Sequence, residues 1–522
     1  MSMFKHVIFP TLAAVCAIAC TGLPERKDHW PYGVRYEVFV RSFADSDGDG
    51  IGDLNGLTGS LDHLADLGVN AVWLMPVMPS PSYHKYDVVD YRGIDPDYGT
   101  LEDFRNLVQE AHRRGIRIII DLVVNHTGSG HPWFRQAVQD RQSPYRRYYV
   151  WADRDSIRQQ IAKKTLTLDS DNITQWHPVN GDTIAPQYYG FFWGGMPDLN
   201  MDNPSVRREL VEIGRFWLDS MDVDGFRLDA ARHIYPDDRA EDNHRFWIWF
   251  RNEMRRIKPD VYLVGEVWAT AEVAVPYLPG LPSLFNFDLA YSITRVLEAG
   301  RDTVGLSALY HHIDSAYRTA NPGYIDATFL RNHDQNRILS ELGGDIRKAR
   351  LAAALLLTFP GAPYIYYGEE IGMMGRKPDE TIREPFLWDA KERDARRTSW
   401  EKPVYSTDST VVPLVQQQRF PGSMYRHYRQ WVEFRNDDPV MTYGDFVPVK
   451  SRPELVAFMR QYGGQTRLVV HNVSDRKAVL PGPAGYRITN DVAFGKGWQL
   501  LEDGSLEIQP SASLVVSAER RR

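Results

Sequence analysis

Short apolar runs alternate with longer amphipathic stretches from Tyr32 to about residue 367. The apolar runs are rich in β-branched side chains and end in turn residues, which is typical of buried strands. We predict eight strands, at roughly 34–41, 69–75, 116–123, 224–229, 261–266, 284–288, 326–331 and 363–367. The amphipathic stretches predict helices, the third with Asn203-Pro204 as its cap and first turn, at about 57–67, 101–114, 204–220, 241–257, 290–316 and 345–357.

This alternation favours an α/β protein with a parallel sheet. A (β/α)₈ TIM barrel and an open doubly wound sheet both fit it, and the pattern alone does not separate them. Residues 127–200, between the third and fourth strands, are rich in Gly, Pro, Asn and aromatic residues, which indicates an inserted small domain. Beyond about residue 440, short alternating runs predict a C-terminal antiparallel β-sandwich, namely Leu455–Arg460, Arg467–Asn472 and Leu514–Ala518. With the barrel, the predicted domains are 30–126 and 201–438 (barrel), 127–200 (insert) and 439–522 (sandwich).

The N-terminal segment has the features of a targeting signal. Lys5 and His6 precede an apolar run that is too short to span a bilayer and suits a signal peptide. The run ends Ala17-Ile18-Ala19-Cys20, which resembles a bacterial lipoprotein cleavage box with Cys20 as the lipid-bearing residue. Plain cleavage near Ala19, giving a soluble periplasmic protein, is the alternative. We therefore predict a signal peptide over 1–20 and a periplasmic or outer-membrane-anchored bacterial lipoprotein, attached to the membrane only through this lipid and monomeric.

Composition narrows the function classes. The 522 residues, 43% hydrophobic and 25% charged, are ordinary for a globular protein. The formal charge of -7 gives no basic face for nucleic acid, so we expect no such partner. Cys16 and Cys20 are the two cysteines and both lie in the predicted signal segment, which leaves the mature chain without a disulfide or a cysteine-based site.

An acidic loop follows the first predicted strand. Asp45-Ser-Asp-Gly-Asp-Gly-Ile-Gly-Asp53 places carboxylates at alternate positions with glycines between them. A tight turn of this kind directs several oxygens at one hard cation, and the loose oxygen coordination of Ca²⁺ fits it better than Mg²⁺ does. The alternative is an Asp/Gly turn open to water. We predict a structural calcium site with the ligands Asp45, Asp47, Asp49, Asp53 and the backbone carbonyl of Ile51.

Three carboxylates end predicted strands at intervals of one or two βα units. Asp229 follows the fourth strand, Glu266 the fifth and Asp334 the seventh. Singly, each has an ordinary alternative as a helix cap or an ion-pair partner. Together at one rim they supply the nucleophile, the acid/base and the supporting charge that glycosidic cleavage requires. Arg227, two residues before Asp229, shares its face of the strand and keeps that carboxylate ionised.

Further polar and aromatic residues are expected at the same rim. Tyr86 and Asp87 lie on the C-terminal side of the second strand, where barrel active sites open. A tyrosine face stacks on a sugar ring and an aspartate accepts from its hydroxyls, although core and surface roles are the alternative. His126 ends the third strand and His333 precedes Asp334.

At this point the chain resembles glycoside hydrolase family 13, the α-amylase family, over nearly all of its mature length. Four motifs in order carry the resemblance, namely Asp121-Leu-Val-Val-Asn125-His126, Gly225-Phe-Arg227-Leu-Asp229-Ala-Ala-Arg-His233, Gly265-Glu266-Val-Trp and Asn332-His333-Asp334. The resemblance implies the TIM barrel rather than the open sheet. It also implies that Asp229 is the nucleophile, Glu266 the acid/base and Asp334 the transition-state stabiliser, with retention of anomeric configuration.

The resemblance also implies roles for the surrounding residues. Arg227 orients Asp229, His126 and His333 hold hydroxyls of the sugar beside the cut, and Tyr86 and Asp87 form the platform and polar wall of that subsite. Arg232-His233 resembles the pair that α-amylases place just beyond the cleavage point. The acidic loop is similar to the calcium loop of the oligo-1,6-glucosidase branch.

Two stretches bear on the subfamily. Met196-Pro-Asp-Leu-Asn200 resembles members intermediate between oligo-1,6-glucosidases and neopullulanases, several of which are α-amylases. Asn125 matches a ligand of a second calcium in many α-amylases, but the sequence does not identify its aspartate partner in the insert. Ile382-Arg-Glu-Pro-Phe-Leu-Trp388 departs from the Arg-Thr-Pro-Met-Gln-Trp pattern of exo-acting α-glucosidases, which favours an open cleft.

The sequence therefore predicts an endo-acting α-amylase type of hydrolase that cleaves α-1,4 bonds in starch or maltodextrins. The rival hypotheses are an exo-acting α-glucosidase or oligo-1,6-glucosidase, a neopullulanase, and a transglycosylase of the trehalose-synthase type. From another class, a catalytically inactive glycan-binding protein is the remaining alternative, and the retention of all three carboxylates argues against it.

Overall fold

The structure is a computed structural model that describes residues 28–163 and 175–521. The predicted signal segment, including Cys20, lies outside these residues. Within the described ranges, no helix has the length and apolar character that crossing a bilayer requires.

Eight parallel segments close into a barrel, which confirms the predicted TIM barrel and rules out the open sheet. Seven of them are strands, in spatial order Tyr364–Tyr366, Arg35–Val38, Ala71–Leu74, Arg117–Leu122, Gly225–Leu228, Tyr262–Gly265 and Ser283–Leu284. The remaining segment, 327–329, closes the ring through two parallel bridges, Phe285 to Ala327 and Phe329 to Tyr364. The carboxyl ends of all eight segments thus meet at one rim.

Side chains alternate between the inside of the barrel and the helices around it, as strand geometry requires. Trp73, Phe285 and Tyr364 pack inside the barrel. Phe226 and Leu228, on the fourth strand, are buried in the larger core outside it, as the alternation in the sequence predicts. Arg227 and Asp229 therefore face the interior and its rim.

The helices cover the outside of the barrel. The side chain of Asn203 accepts a hydrogen bond from the backbone N–H of Ser205 (2.9 Å), which confirms the predicted cap. The longer helices are Leu101–Arg113, Pro204–Arg215, Ala240–Ile257, Phe287–Ala299, Leu306–Ala320, Ile346–Thr358 and Met424–Asp437, and shorter ones are Val40–Phe43, Leu54–Thr58, Leu61–Leu67, Ile338–Glu341, Leu414–Arg419 and Pro439–Tyr443.

The single helix predicted over 290–316 is wrong. Two helices occupy this stretch, because Gly300 ends the first in a left-handed conformation with φ of +62°. Asp302 then caps the second helix, accepting from the N–H groups of Gly305 (2.8 Å) and Leu306 (2.9 Å). Hydrophobic spacing continues through the break, so the pattern did not reveal it. The stretch 57–67 likewise contains parts of two helices, Leu54–Thr58 and Leu61–Leu67.

The insert forms a small unit against the rim of the barrel. Three short antiparallel strands lie in the order Trp151–Ala152, Gln187–Tyr189 and Trp176–His177, and two helices, Pro132–Gln139 and Arg154–Lys163, accompany them. The end of the insert is tied to the third barrel strand, because Leu199 donates its N–H to the carbonyl of Asn125 (2.9 Å). This link brings the aromatic residues of the insert to the mouth of the barrel.

The C-terminal part is a β-sandwich, as the alternating runs predicted. A five-stranded antiparallel sheet has the order Asp445–Pro448, Leu455–Tyr462, Gln465–Asn472, Ser513–Arg520 and Tyr486–Gly495. A three-stranded sheet has the order Ala478–Leu480, Leu506–Ile508 and Trp498–Leu500. Leu468, Leu480 and Ile508 belong to the shared core between the two sheets.

Candidate active site

The three predicted carboxylates lie at the same rim of the barrel. Asp229 directly follows the fourth strand and Glu266 the fifth, while Asp334 lies just beyond the segment that closes the ring. After Asp229 the chain turns at Ala230, a non-glycine residue with φ of +48°. The N–H groups of Ala230 and Ala231 then point to the side-chain Oε2 (3.4 Å) and the carbonyl (3.1 Å) of Glu266. The turn thus connects the ends of two neighbouring strands.

Arg227 joins three carboxylates that come from three strands. Its Nη1 lies 2.6 Å from Oδ1 of Asp229 and 3.0 Å from Oδ2 of Asp121, and its Nη2 lies 2.8 Å from Oε2 of Glu266. The guanidinium is 1% exposed and packs over the ring of Trp73. Asp229 and Glu266 therefore lie close enough to share one cation, which fixes their mutual orientation.

One positive charge does not balance three negative ones, and the site favours protonation of Glu266. Burial raises the pKa of Glu266 to about 6, and the charges of Asp229 and Asp334 add to this rise against the attraction of Arg227. Burial likewise raises the pKa of Asp121. A carboxyl group that keeps its proton into the weakly acidic range is suited to general acid catalysis.

Asp334 has the opposite environment. Its Oδ2 lies 3.1 Å from Nε2 of His333, and its Oδ1 accepts from Nη2 of Arg383 (2.9 Å). Burial alone raises its pKa, but the charges of His333 and Arg383 hold the pKa well below its usual range. Asp334 thus stays ionised while Glu266 holds a proton, which assigns the two carboxyl groups different chemistry.

Tyr86 lies against His333 and Asp121, with Asp87 next to it in the chain and His126 beside it. The ring of Tyr86 stacks on His333 at 5.5 Å between centroids, and its hydroxyl contacts Oδ2 of Asp121 (3.0 Å) and Nε2 of His333 (2.7 Å). Asp87 accepts from the hydroxyls of Ser80 (2.5 Å) and Ser82. Nε2 of His126 lies 3.3 Å from the carbonyl of Tyr86. All three predicted residues thus belong to one connected wall.

The insert contacts the site through Phe191 and Phe192. The ring of His233 stacks on Phe191 at 4.0 Å, and His126 meets Phe192 edge-on at 5.4 Å. Burial lowers the pKa of His233 to about 3, so this ring is neutral. Arg232 pairs with Asp237 (3.3 Å).

Asp198, in the Met196–Asn200 stretch, lies beside Asn125 and is a residue that the sequence did not identify. It is buried, accepts from the backbone N–H of Phe191 (3.1 Å) and interacts with the Asn125 side chain, and burial raises its pKa well above the usual value. Oδ1 of Asn125 is buried without a hydrogen-bond partner in the described structure. The Met-Pro-Asp-Leu-Asn motif held the signal for Asp198.

The acidic loop brings three of its five predicted ligands together. Carboxylate oxygens of Asp45, Asp47 and Asp49 lie within 4.8 Å of one another. The side chain of Asp53 instead caps the helix Leu54–Thr58, accepting from the N–H of Gly56 (2.8 Å). The backbone N–H of Ile51 donates to Asp49 (2.7 Å).

Sequence reasoning missed two further residues of the site. Glu37, on the first strand, lies 2.5 Å from Nδ1 of His333. Arg383 belongs to a stretch that the sequence analysis used only to compare subfamilies, yet it holds both Asp334 and Asp379 (3.2 Å). A charged residue inside the apolar run Tyr36-Glu37-Val38 was the available signal for the first.

Comparisons with known proteins agree with this geometry. Residues 37–444 match the family described as alpha amylase, catalytic domain. The chain is 44% identical over 440 residues to Alpha-amylase 3 of Dictyoglomus thermophilum, covering 84% of each chain. It is 34% identical to a 4-alpha-glucanotransferase of Thermotoga neapolitana, covering 86% of this chain and 97% of that protein.

A solved structure is similar throughout. The crystal structure of an alpha-amylase from H. orenii superposes with a TM-score of 0.84 at 43% identity, covering 94% of this chain and 99% of that one. The barrel fold, the three carboxylates at its rim and the similar proteins thus all indicate the same family. The chain belongs to the α-amylase family of glycoside hydrolases, glycoside hydrolase family 13.

Proposed function

We propose that the protein is a retaining, endo-acting α-amylase that cleaves α-1,4 bonds in starch or maltodextrins. The observation that carries this proposal is the convergence of Asp229, Glu266 and Asp334 on one charge network at the rim of the barrel. Asp229 and Glu266 share the guanidinium of Arg227, and Asp334 is linked to Arg227 through His333 and the Tyr86 hydroxyl, which lies 3.4 Å from Nη1.

Each carboxyl group has a role that its surroundings support. Asp229, paired with Arg227, attacks the anomeric carbon, while Glu266 gives its proton to the bridging oxygen. Glu266 then removes a proton from water, which hydrolyses the glycosyl–Asp229 ester and restores the starting configuration. Asp334, which His333 and Arg383 keep ionised, stabilises the positive charge that develops on the sugar ring.

Endo attack is the finer part of the proposal. The Ile382–Trp388 stretch lacks the pattern of exo-acting α-glucosidases. Within it, the side chain of Glu384 binds the backbone of the loop 404–406. Its carboxylate accepts backbone N–H groups of Val404 (2.6 Å) and Ser406 (2.6 Å). The alpha-amylase relative at 44% identity favours the same conclusion.

Transglycosylation is a second candidate, favoured by partly exposed aromatic side chains in the insert and in the loop after Glu266. Trp268, two residues after it, is 40% exposed, and Phe192 and Trp193 of the insert are 39% and 53% exposed. Such faces stack on an acceptor sugar that competes with water for the glycosyl group. The relative named 4-alpha-glucanotransferase gives this candidate further support.

Product analysis separates these functions. We expect maltoheptaose to give several shorter products at once, with each newly formed reducing end released as the α-anomer and with little cleavage of trehalose. Glucose as the first and sole product, or products longer than maltoheptaose, would instead indicate exo attack or transglycosylation. Asp229→Asn is expected to abolish turnover while oligosaccharide binding persists, and an unchanged turnover in this variant would remove the mechanism.

We further propose that the acidic loop binds a structural Ca²⁺ through the carboxylates of Asp45, Asp47 and Asp49, with Ile51 and Asp53 as the remaining predicted ligands. Three carboxylate oxygens within 4.8 Å repel one another unless a cation lies between them. The loop is tied to the barrel, since Asp45 donates its N–H to the carbonyl of Arg396 (2.9 Å). Calcium is thus expected to stabilise the fold rather than to take part in chemistry.

Calcium removal tests this site. A chelator is expected to lower the melting temperature, and calcium in 100-fold excess over its Kd should restore about 2.7 kcal/mol of stability. Asp47→Ala should abolish this dependence. Asp62→Ala, at an exposed aspartate paired with Arg114 (2.7 Å), should retain it and serves as the control. Identical calcium responses of the two variants would contradict the assignment.

We also propose that the protein is an exported, monomeric lipoprotein carrying its lipid on Cys20. The apolar run that ends Ala17-Ile18-Ala19-Cys20 supports this. Mass spectrometry of protein expressed with its own leader is expected to find a diacylated Cys20 at the N-terminus. An N-terminus without lipid would favour the soluble periplasmic form.

A further inference from the structure

Glu37 is a buried glutamate at the floor of the site. It lies on the first barrel strand, in register with Trp73 and Tyr366 of the neighbouring strands, and its side chain is 2% exposed. Within residues 28–163 and 175–521, Glu37 forms one ion pair, and its partner is His333. Burying a carboxyl group is costly unless it has a polar partner, so His333 is the contact that makes a glutamate tolerable inside the barrel.

The two nitrogens of His333 both face hydrogen-bond acceptors. Nδ1 lies 2.5 Å from Oε1 of Glu37, and Nε2 lies 3.1 Å from Oδ2 of Asp334 and 2.7 Å from the Tyr86 hydroxyl. A neutral imidazole carries a proton on one nitrogen only. With a carboxyl group on each side, the arrangement favours the doubly protonated, cationic ring.

We propose that Glu37 is a positioning residue of this active site, which holds His333 in its cationic form so that Nε2–H donates to Asp334. Glu37 acts through His333, because the imidazole ring lies between Glu37 and Asp334. This inference rests on the proposed hydrolase function, because the positive charge on His333 matters only if Asp334 takes part in the reaction.

The surrounding groups favour the same charge state. Burial disfavours the imidazolium, but the two carboxylates raise the pKa of His333 to about 10. Arg383 opposes a second positive charge, yet it also holds Asp334 from the far side (2.9 Å). The other titratable or charged groups of this network come from the loop after the second strand and from the third, fourth, fifth and eighth strands: Tyr86, Asp121, Arg227, Asp229, Glu266, Tyr364 and Tyr366.

Glu37→Gln tests the proposal because the amide oxygen still accepts from Nδ1–H while the negative charge is lost. Without that charge, His333 should release its second proton about 1–3 pH units lower. The assay uses α-maltosyl fluoride, since fluoride leaves without needing the proton of Glu266. We expect wild-type kcat to stay level above neutral pH, and kcat of the variant to fall 1–3 pH units earlier with little change in KM.

Two controls separate charge from burial. Glu369→Gln changes another buried glutamate of the barrel, bonded to the Tyr428 hydroxyl (2.7 Å), and should leave the pH profile of kcat unaltered. In a His333→Gln background, adding Glu37→Gln should not move the profile further, because the two residues act in series. A folded Glu37→Gln enzyme with the wild-type pH profile would overturn the proposal.

Direct titration of His333 keeps the test independent of turnover and of the folding of any variant. In protein with isotope-labelled histidine, the wild-type His333 signals should remain those of an imidazolium up to about pH 9. Loss of the proton near pH 6.5, the ordinary histidine value, would overturn the role of Glu37. If the wild type cleaves no α-glucan, the proposed function fails, and this titration still decides the charge of His333.

Discussion

One guanidinium serves three carboxylates at the site, so a single buried cation faces three acidic side chains. Arg227 pairs most closely with Asp229 (2.6 Å), the nucleophile of the proposed mechanism. Glu266 lies 2.8 Å from the same guanidinium, and burial, with the charges of Asp229 and Asp334 added to it, raises the pKa of Glu266 to about 6. The surroundings of Glu266 therefore suit the acid role that we propose for it.

The first prediction concerns pH. Glu266 must be protonated to act as the acid, and its raised pKa of about 6 keeps the proton through weakly acidic conditions. The value of kcat/KM for maltoheptaose should therefore fall as pH rises above about 6. Profiles of wild-type kcat/KM from pH 3 to 10 measure this.

A variant identifies the group responsible. Glu266→Gln should reduce turnover of maltoheptaose by roughly 10²–10⁴-fold and remove the alkaline decline, because the amide has no proton to lose. Formation of the glycosyl–Asp229 ester from α-maltosyl fluoride should be slowed far less, because fluoride leaves without a proton from Glu266. An alkaline decline that persists in Glu266→Gln would assign it to another group.

At the scale of elements, local pattern predicted the strands because each one is a short apolar run with definite ends. The pattern failed to locate the end of a helix or strand where that end depends on a single residue or a single bridge. Gly300 and Asp302 divide a helical stretch whose hydrophobic spacing continues, and the segment at 327–329 pairs through single bridges. Such features depend on backbone conformation and on partners distant in the chain.

The second prediction concerns the C-terminal end of the helix Ile346–Thr358. Its unpaired carbonyls are satisfied by Arg435, which is buried and donates to the carbonyls of Leu357 (2.8 Å), Phe359 (2.8 Å) and Gly361 (2.7 Å). Arg435→Met should lower the free energy of unfolding by roughly 3 kcal/mol, since buried acceptors lose their donors. Urea denaturation measures the change.

Arg429 supplies the matched comparison, because it lies on the same helix as Arg435, Met424–Asp437. It lies at the surface with Asp66 (3.1 Å), so Arg429→Met should cost about 0–1 kcal/mol. Equal losses for the two variants would show that Arg435 does not stabilise the helix end in the way described.

At the scale of the whole molecule, the site exists only because the barrel closes. Asp229, Glu266 and Asp334 could be expected at one rim from the sequence, since each follows a predicted strand. The sequence did not reveal that Arg227 reaches Asp121 and Glu266, that Glu37 supports His333, or that Asp198 lies beside Asn125. These contacts join residues far apart in the chain and leave no spacing to recognise.

The insert and the sandwich differ in how they relate to that site. Phe191 and Phe192 carry the insert onto His233 and His126, so the insert contributes to the walls of the cleft. The sandwich packs against the helical side of the barrel, where Arg460 donates to the carbonyl of Thr358 (2.8 Å). Changes in substrate preference are therefore expected from the insert and changes in stability from the sandwich.

The most direct test of the central claim is to trap the covalent intermediate. Glu266→Gln, incubated with α-maltosyl fluoride, should form the glycosyl ester but hydrolyse it slowly, because the base that activates water is missing. Peptide mass spectrometry is expected to find one maltosyl group, attached to Asp229. A glycosyl group on any other residue, or release of β-maltose by the wild type without any ester, would contradict the account.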